Sequence, residues 1–228
     1  MNIIDLGLKE YGEVWQIQKE LVAQRIENKI TDTLLFVEHP HVITKGRRSK
    51  AEDIIHPKIP VFEVERGGEV TYHGPGQLVG YPIIYLGPKA GIKHYMRSLE
   101  EVLIRTLEHF DIQGVRKEGC TGVWVRHPEH ACHPEHACHS ERSNVILSPE
   151  GEGSLKKIAS LGIAVKKWVT YHGFALNVNT DLSYFQMINP CGFDGSVMTS
   201  MQELRHRPFL MEEVKAEVII RFQALTSH

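Results

Sequence analysis

Two consecutive segments, residues 158–165 and 169–178, have side chains that alternate with a period of two. In an extended chain this period sends successive side chains to opposite faces, which is typical of strands with one buried face. The pattern therefore predicts two strands in the second half of the chain.

Further strands and three helices surround this pair. Strands are predicted at residues 3–6, 33–38, 61–65, 80–86 and 122–125. Apolar residues recur at helical spacing in residues 11–29, 92–110 and 211–225, which predicts helices there. Because strands dominate the centre and helices flank them, we expect a mixed α/β or α+β fold.

Length and charge exclude several classes of protein. A chain of 228 residues, 42% of them apolar, suits one large domain or a domain with a small subdomain. The net charge of -2 gives no general attraction to nucleic acid or to anionic membranes. We see no signal peptide at the N-terminus and no apolar run long enough to span a bilayer.

The four cysteines do not form a disulfide scaffold. Cys132 and Cys138 each end one copy of a tandem repeat, His-Pro-Glu-His-Ala-Cys. These residue types can bind Zn²⁺ or Ni²⁺, but duplication in a polar loop requires no function, so we predict no metal site. Residues 126–155, approximately, are interpreted as a mobile surface insertion, since they offer few apolar side chains for packing. The cysteine usage favours a reducing, cytoplasmic setting.

Glycines are concentrated in residues 66–77, Arg-Gly-Gly-Glu-Val-Thr-Tyr-His-Gly-Pro-Gly-Gln. Such a segment can bring its backbone close to a ligand. The alternative is a hairpin or bulge whose glycines supply positive φ angles. Spacing alone does not decide between the two.

Two single residues are further candidates. Lys157 stands at the entrance to an apolar strand, where a solvated charge is the usual outcome, but a desolvated lysine can serve as a base and stabilise a thiolate. Cys191 lies in the turn-like sequence Asn-Pro-Cys-Gly-Phe, which can present its sulfur to a cleft, although most single cysteines are inert. Cys120 leads into an apparent strand and is predicted to belong to the core.

Together these segments resemble the octanoyltransferases of lipoate biosynthesis (the lipoate-protein ligase B family) within the biotin/lipoate ligase superfamily. The resemblance rests on residues 66–77, 157–162, 172–177 and 190–192, in that order and spacing. It covers nearly the whole chain. It implies one catalytic domain over residues 1–228, with mixed sheets and helices packed outside.

The resemblance also implies roles for particular residues. Cys191 falls on the cysteine that carries the acyl group, and Lys157 on the lysine that lowers the pKa of that cysteine. The implied acyl-substrate site comprises Arg66, Gly67, Gly68, Glu69, Val70, Thr71, Tyr72, His73, Ser160, Leu161, Gly162, Gly173, Phe174 and Ala175. For His73, orientation of the substrate and a structural hydrogen bond are both open.

The implied donor is octanoyl-acyl carrier protein. The implied acceptors are lysines of lipoyl domains, in the E2 subunits of 2-oxoacid dehydrogenases and in the glycine cleavage H protein. No cofactor is expected. We further hypothesise that Lys45, Arg47, Arg48 and Lys50 meet the acidic surface of the carrier protein, with a solvated loop as the alternative.

Three other functions compete with this prediction. An ATP-dependent lipoate or octanoate ligase shares the fold and needs no nucleophilic cysteine. A metal-binding scaffold would depend on the tandem repeat. A cysteine hydrolase would need a histidine base and would release free octanoate.

Overall fold

The computed structural model describes residues 1–55, 57–89, 91–126, 155–190 and 193–226. Ten strands are present in these ranges: β1 (Asn2–Leu8), β2 (Thr33–Glu38), β3 (Val42–Lys45), β4 (Val61–Glu63), β5 (Val70–His73), β6 (Gln77–Ile83), β7 (Gly114–Lys117), β8 (Cys120–Arg126), β9 (Leu155–Lys166) and β10 (Val169–Asn177). The α-helices are α1 (Tyr11–Ile26), α2 (Ile92–His109), α3 (Met201–Arg205) and α4 (Met211–Thr226). Short 3-10 helices occupy Ala51–Asp53, Leu182–Met187 and Gly195–Val197.

The strands form two sheets. The larger has seven strands in the order β1-β2-β6-β10-β9-β8-β7, and the smaller has the order β4-β3-β5. In the larger sheet β1 and β2 are parallel and the other pairs are antiparallel. In the smaller sheet β3 is parallel to β4 and antiparallel to β5. The prediction of a mixed α/β fold with helices flanking the sheets is therefore confirmed.

Helices cover both faces of the larger sheet. Apolar side chains of α2 and α4, such as Leu103 and Val218, share one buried cluster with Phe36 and Phe174 of the sheet. On the other face α1 packs through Val14 against alternate residues of β2, β6 and β10. Because successive side chains of a strand point to opposite faces, the larger sheet contributes to two apolar cores. Each core is covered by helices that turn their apolar side chains toward the sheet.

The predicted elements match closely, except that the short helix α3 and three short strands were not predicted. The helices predicted at 11–29, 92–110 and 211–225 are α1, α2 and α4, and the strands predicted at 158–165 and 169–178 form the antiparallel pair β9–β10. The prediction missed β3, β5 and β7. Each has only four residues, too few to show a period, and tertiary pairing decides that they are strands.

The predicted insertion lies between β8 and β9. Arg126 pairs with Leu155 across these strands, so residues 127–154 connect the ends of a hairpin. Those residues, with the tandem repeat, lie outside the described residues. The assignment of residues 1–228 to one catalytic domain stays a prediction.

The prediction that Cys120 belongs to the core is wrong. Cys120 begins β8 after a turn and is partly exposed. The register of β8 with β9 starts only at Val123, opposite Ala159, so Cys120 lies beyond the point where β9 covers β8.

Candidate functional site

A cavity of about 430 Å³ opens between the two sheets. Its walls come from residues 66–71, from residues 160–163 of β9 and from residues 172–175 of β10, with Lys157 and His73 also contributing. The glycine-rich segment is tied to the larger sheet by a hydrogen bond of 2.8 Å from the Gly67 N–H to the Ile163 carbonyl oxygen. The folded chain therefore brings three distant sequence segments to one concave site.

Arg66 fixes the base of the glycine-rich segment. Its side chain is buried and donates to the carbonyl oxygen of Thr44 at 2.7 Å and to the Thr44 hydroxyl at 2.9 Å. A Cβ atom on Gly162 would lie 2.7 Å from the Gly67 carbonyl oxygen, closer than atoms can approach. Glycine at position 162 thus allows the segment to lie against β9.

His73 is buried at the end of β5 and lines the cavity. Its Nδ1 lies 2.7 Å from Oε1 of Gln77, and since an amide oxygen only accepts, Nδ1 carries the hydrogen. Burial lowers the pKa of His73 to about 3, so the ring is neutral at pH 7. A structural hydrogen bond and a wall of the cavity are thus combined in one residue.

Lys157 is buried, with 2% of its surface exposed, so it is not a solvated surface charge. Its Nζ lies 5.6 Å from the centre of the Trp124 ring. Its carbonyl oxygen accepts a hydrogen bond of 3.0 Å from the Thr199 N–H, which joins β9 to the segment before α3. The lysine is therefore held in the wall of the cavity, buried and near an aromatic ring.

Cys191 and Gly192 lie outside the described residues, but the residues on either side are described. The Phe193 N–H donates to the Pro190 carbonyl oxygen at 3.1 Å. The Phe193 ring packs edge-on against Trp124 at 5.8 Å, and Nζ of Lys117 lies 4.5 Å from each of these two ring centres. The chain next to Cys191 and the side chain of Lys157 thus share one neighbour, Trp124.

Tyr72 is the one predicted substrate-site residue that is not part of the cavity wall in the described chain. Its hydroxyl lies 2.8 Å from Nδ1 of His41, and its ring stacks on Tyr184. In β5 it faces the opposite side from Thr71 and His73, as strand alternation requires. All the other predicted substrate-site residues line the cavity.

Several cavity residues were not predicted: Tyr11, Arg48, Val79, Tyr81, Ile92, Met96, Cys120 and His172. His172 adjoins the predicted segment 173–175 and has a φ of +55°, which is uncommon for a residue other than glycine. Burial lowers its pKa to about 4. Neither ring nitrogen has a hydrogen-bond partner in the described chain, although Nε2 lies 3.6 Å from Glu65. The signal available from sequence was its place in the His-Gly-Phe-Ala-Leu-Asn run.

The four basic residues Lys45, Arg47, Arg48 and Lys50 fall into two groups. Lys45 pairs with Glu63 at 2.6 Å, and Lys50 lies 3.9 Å from Glu52. Arg47 and Arg48 are exposed, and Arg48 also lines the cavity. Two cations thus stand at or beside the mouth of the cavity while two are offset by carboxylates.

Neither a metal site nor a membrane span is found in the described ranges. They contain no cluster of three or more histidine, cysteine or acidic side chains suited to a metal ion. No helix within them is both long and apolar enough to cross a bilayer.

The sequence model of the family named lipoyl protein ligase A/B catalytic domain matches residues 10–223 of this chain. The chain belongs to this family. An octanoyltransferase of Syntrophotalea carbinolica is 41% identical over 226 residues, which cover 99% of this chain and 94% of the relative. An octanoyltransferase of Geotalea uraniireducens is 41% identical over 224 residues, covering 98% and 92%. The resemblance inferred from the motifs is thus confirmed.

Solved structures agree on the fold. A bipartite lipoate protein ligase from Thermoplasma acidophilum, described in an archaeal lipoylation system with its E2 lipoyl domain, has a TM-score of 0.65. It is 15% identical, and the match covers 98% of this chain and 82% of that one. A lipoate-protein ligase A bound with ATP gives a TM-score of 0.64 at 15% identity, covering 98% and 84%. At this identity the similarity concerns the fold alone.

Proposed function

We propose that this protein is an acyltransferase of lipoate biosynthesis that moves an octanoyl group from octanoyl-acyl carrier protein to a lysine of a lipoyl domain. The observation that carries the proposal is the buried Lys157 at the wall of a cavity whose other walls are the glycine-rich segment and β9–β10. Relatives that match nearly the full chain are octanoyltransferases, which supports octanoyl as the transferred group.

In the first half-reaction Cys191 is the nucleophile. An ordinary cysteine thiol has a pKa of about 8.5 and is mostly protonated at neutral pH. A lysine ammonium nearby favours the thiolate. The thiolate attacks the octanoyl carbonyl carbon, a new carbon–sulfur bond forms to Cys191, and the bond to the carrier's sulfur breaks. The carrier thiolate leaves with a proton, for which Lys157 is the proposed source.

In the second half-reaction the lysine amine of a lipoyl domain attacks the acyl-enzyme. The amide bond forms, the Cys191 thiolate leaves, and neutral Lys157 accepts the proton of the amine. Exchange between two thioesters is nearly neutral in free energy, whereas conversion of a thioester to an amide is downhill. The cycle therefore needs neither ATP nor a cofactor.

The lining of the cavity fits an acyl chain. Leu161, Ile163 and Phe174 present apolar surface, and the glycines at 67, 68 and 162 let the backbone approach the chain closely. Of the predicted substrate-site residues, Tyr72 would act indirectly, through the packing of β5.

For the donor, we propose that Arg47 and Arg48 meet the acidic surface of acyl carrier protein. Lys45 and Lys50 contribute less, because each already has a carboxylate partner. For Arg48→Glu we expect a several-fold higher KM for the donor that depends on salt, whereas Lys50→Glu changes it little. Equal KM values and equal salt dependence for the two variants would refute this contact.

For the acceptor, we propose lipoyl domains of the E2 subunits of 2-oxoacid dehydrogenases and of the glycine cleavage H protein. The Thermoplasma acidophilum ligase, which shares this fold, is described with an E2 lipoyl domain. We expect the reaction to take place in the cytoplasm, where acyl carrier protein and reduced cysteines occur together.

The decisive experiment is intact-mass spectrometry after mixing the protein with octanoyl-acyl carrier protein. We expect one octanoyl adduct that is absent from Cys191→Ala and present in the matched control Cys120→Ala. An adduct that persists in Cys191→Ala would exclude Cys191 as the acyl carrier.

The same assay separates the alternatives. Acylation from free octanoate that requires ATP would favour the ligase. Release of free octanoate without an amine acceptor would favour a hydrolase. Loss of transfer on deletion of residues 127–139 would favour a role for the tandem repeat, whereas we expect that deletion to retain transfer.

A further inference from the structure

The strand β8 has an irregularity beside Lys157. Its register with β9 shifts between Val123 and Trp124, and Gly122, just before the shift, has a φ of +131°. Glycine adopts this conformation without the strain that a side chain would cause. The Gly122 N–H is turned toward α2 and donates to Oε1 of Glu100 at 3.1 Å.

Gly122 lies directly against the lysine side chain. A Cβ atom built on Gly122 would be 2.6 Å from Cε and 3.4 Å from Nζ of Lys157, and 2.6 Å from the carbonyl oxygen of Ala159. The end of the lysine side chain therefore rests on the backbone of Gly122. A shift of this backbone would change the space in which the ammonium group lies.

The buried carboxylate of Glu100 is itself held in place by two arginines. Only 2% of its surface is exposed, and its Oε2 accepts from Arg97 at 2.6 Å and from Arg116 at 3.2 Å. Arg116 is held in turn by Glu101 at 2.7 Å. The carboxylate that binds Gly122 is thus anchored by two guanidinium groups, one from α2 and one from β7.

We propose that Glu100 is a positioning residue for Lys157, acting through the Gly122 N–H. The inference rests on the proposed function, in which Lys157 stabilises the thiolate and accepts the amine proton. Glu100 does not touch the acyl substrate: it holds the backbone on which the lysine lies. A misplacement of about 1 Å in such an arrangement lowers turnover by up to about 100-fold.

The test compares two adjacent glutamates. Glu100→Met keeps side-chain volume but removes the acceptor, and Glu100→Gln restores a weaker, neutral acceptor. Glu101→Met is the matched control, because Glu101 also binds Arg116 but makes no bond to Gly122. All variants are first checked for folding by thermal unfolding.

We expect Glu100→Met to lower kcat about 10- to 100-fold, with an unchanged KM for octanoyl-acyl carrier protein and a higher pH for half-maximal acylation. Glu100→Gln should recover part of this loss and keep a kcat about two- to fivefold below that of the wild type. Glu101→Met should match the wild type, because Glu100 keeps its bonds to Gly122 and to Arg97 in that variant. A folded Glu100→Met protein with wild-type kcat and pH profile would overturn the proposal. Should Glu100→Met not fold, Glu100→Gln is measured alone, and a wild-type kcat and pH profile would overturn it equally.

A double-mutant cycle tests whether the effect passes through Lys157. In a Lys157→Met background, Glu100→Met should cause little further loss, because the group that it positions is gone. A full additional loss would refute positioning of Lys157. If Lys157→Met alone left acylation unchanged, the proposed role of the lysine would fail as well. If Lys157→Met loses acyl transfer while Glu100→Met transfers acyl groups as fast as the wild type, only the positioning role of Glu100 is refuted.

Discussion

The cavity wall buries ionisable side chains in different ways at two places, named here the lysine end (around Lys157) and the histidine end (around His73 and His172). At the lysine end the side chain of Lys157 rests on Gly122 and faces Trp124. At the other end His73 and His172 are neutral, because burial lowers the pKa of His73 to about 3 and that of His172 to about 4. The histidines therefore supply polar packing without charge, whereas the proposed function gives Lys157 a part in proton transfer.

The difference has a structural origin. The lysine end is built from a bulged strand, a glycine and a paired carboxylate, Glu100, which together leave room for one long side chain. The histidine end is built from packed rings, in which His39 and His73 lie 5.9 Å apart and Tyr11 stacks on His73. Close packing of rings excludes water and favours the neutral imidazole.

The largest expected effect separates chemistry from stability at the lysine end. Lys157→Met should lower acyl transfer about 100- to 10,000-fold, since both proposed roles of the amine are lost. Thermal unfolding of the same variant shows whether it is folded, so that a loss of transfer can be distinguished from a loss of stability. The control is Lys156→Met. Lys156 is the neighbouring lysine, and its Nζ donates to the Ser196 carbonyl oxygen at 2.6 Å. Wild-type transfer by Lys157→Met would contradict the contrast between the two ends.

The histidine end predicts a dependence of stability on pH. Burial lowers the folded-state pKa of His39 and His172 to about 4 and that of His73 to about 3, below the ordinary value of 6.5. Between pH 6.5 and about 4 the unfolded chain therefore binds more protons, so stability falls as the pH falls. Each histidine contributes up to about 1.4 kcal/mol per pH unit.

Urea unfolding at pH 7, 6 and 5 measures this slope. His73→Gln should reduce the slope, whereas the control His94→Gln, on the exposed part of α2, should leave it as in the wild type. Equal slopes in His73→Gln and the wild type would show that His73 is not held neutral.

Close packing near the histidine end gives a smaller effect. A Cβ atom on Gly173 would clash with the carbonyl oxygen of Gly80, whereas one on Gly67 meets its nearest atom at 3.6 Å. We expect Gly173→Ala to lower the free energy of unfolding by about 1–3 kcal/mol, and Gly67→Ala to change it much less. Denaturant titration compares the two, and equal losses would argue against the close approach of β10 to β6.

The smallest effect is expected at Cys120. This thiol lines the cavity but has no proposed part in the reaction. Cys120→Ala should change stability and the free energy of activation by no more than about 0.5 kcal/mol. A loss of acyl transfer comparable to that of Cys191→Ala would show that the cavity cysteine takes part in catalysis.

Much of the fold could be predicted because long elements carry their own periodicity. The helix α2 was predicted within one residue at its end, since its apolar stripe spans the whole segment. The strands β3 and β5 could not be predicted, because four residues beside glycines show no period and pairing with each other defines them. Cys120 was misplaced because its exposure depends on where the pairing of β9 with β8 begins.

The candidate site, like the fold, could be predicted from the sequence only in part. The sequence predicted three segments that line the cavity, and the wall also includes Lys157, since residue types and their order are preserved in the motifs. The catalytic roles of Lys157 and Cys191 stay predictions. The sequence could not show that Lys157 is buried, because desolvation depends on what packs over a side chain. Only the tertiary structure placed Glu100, Gly122 and Lys157 in one row, from α2 through β8 to β9. Their contacts join residues distant in sequence, and packing of the helix on the sheet decides them.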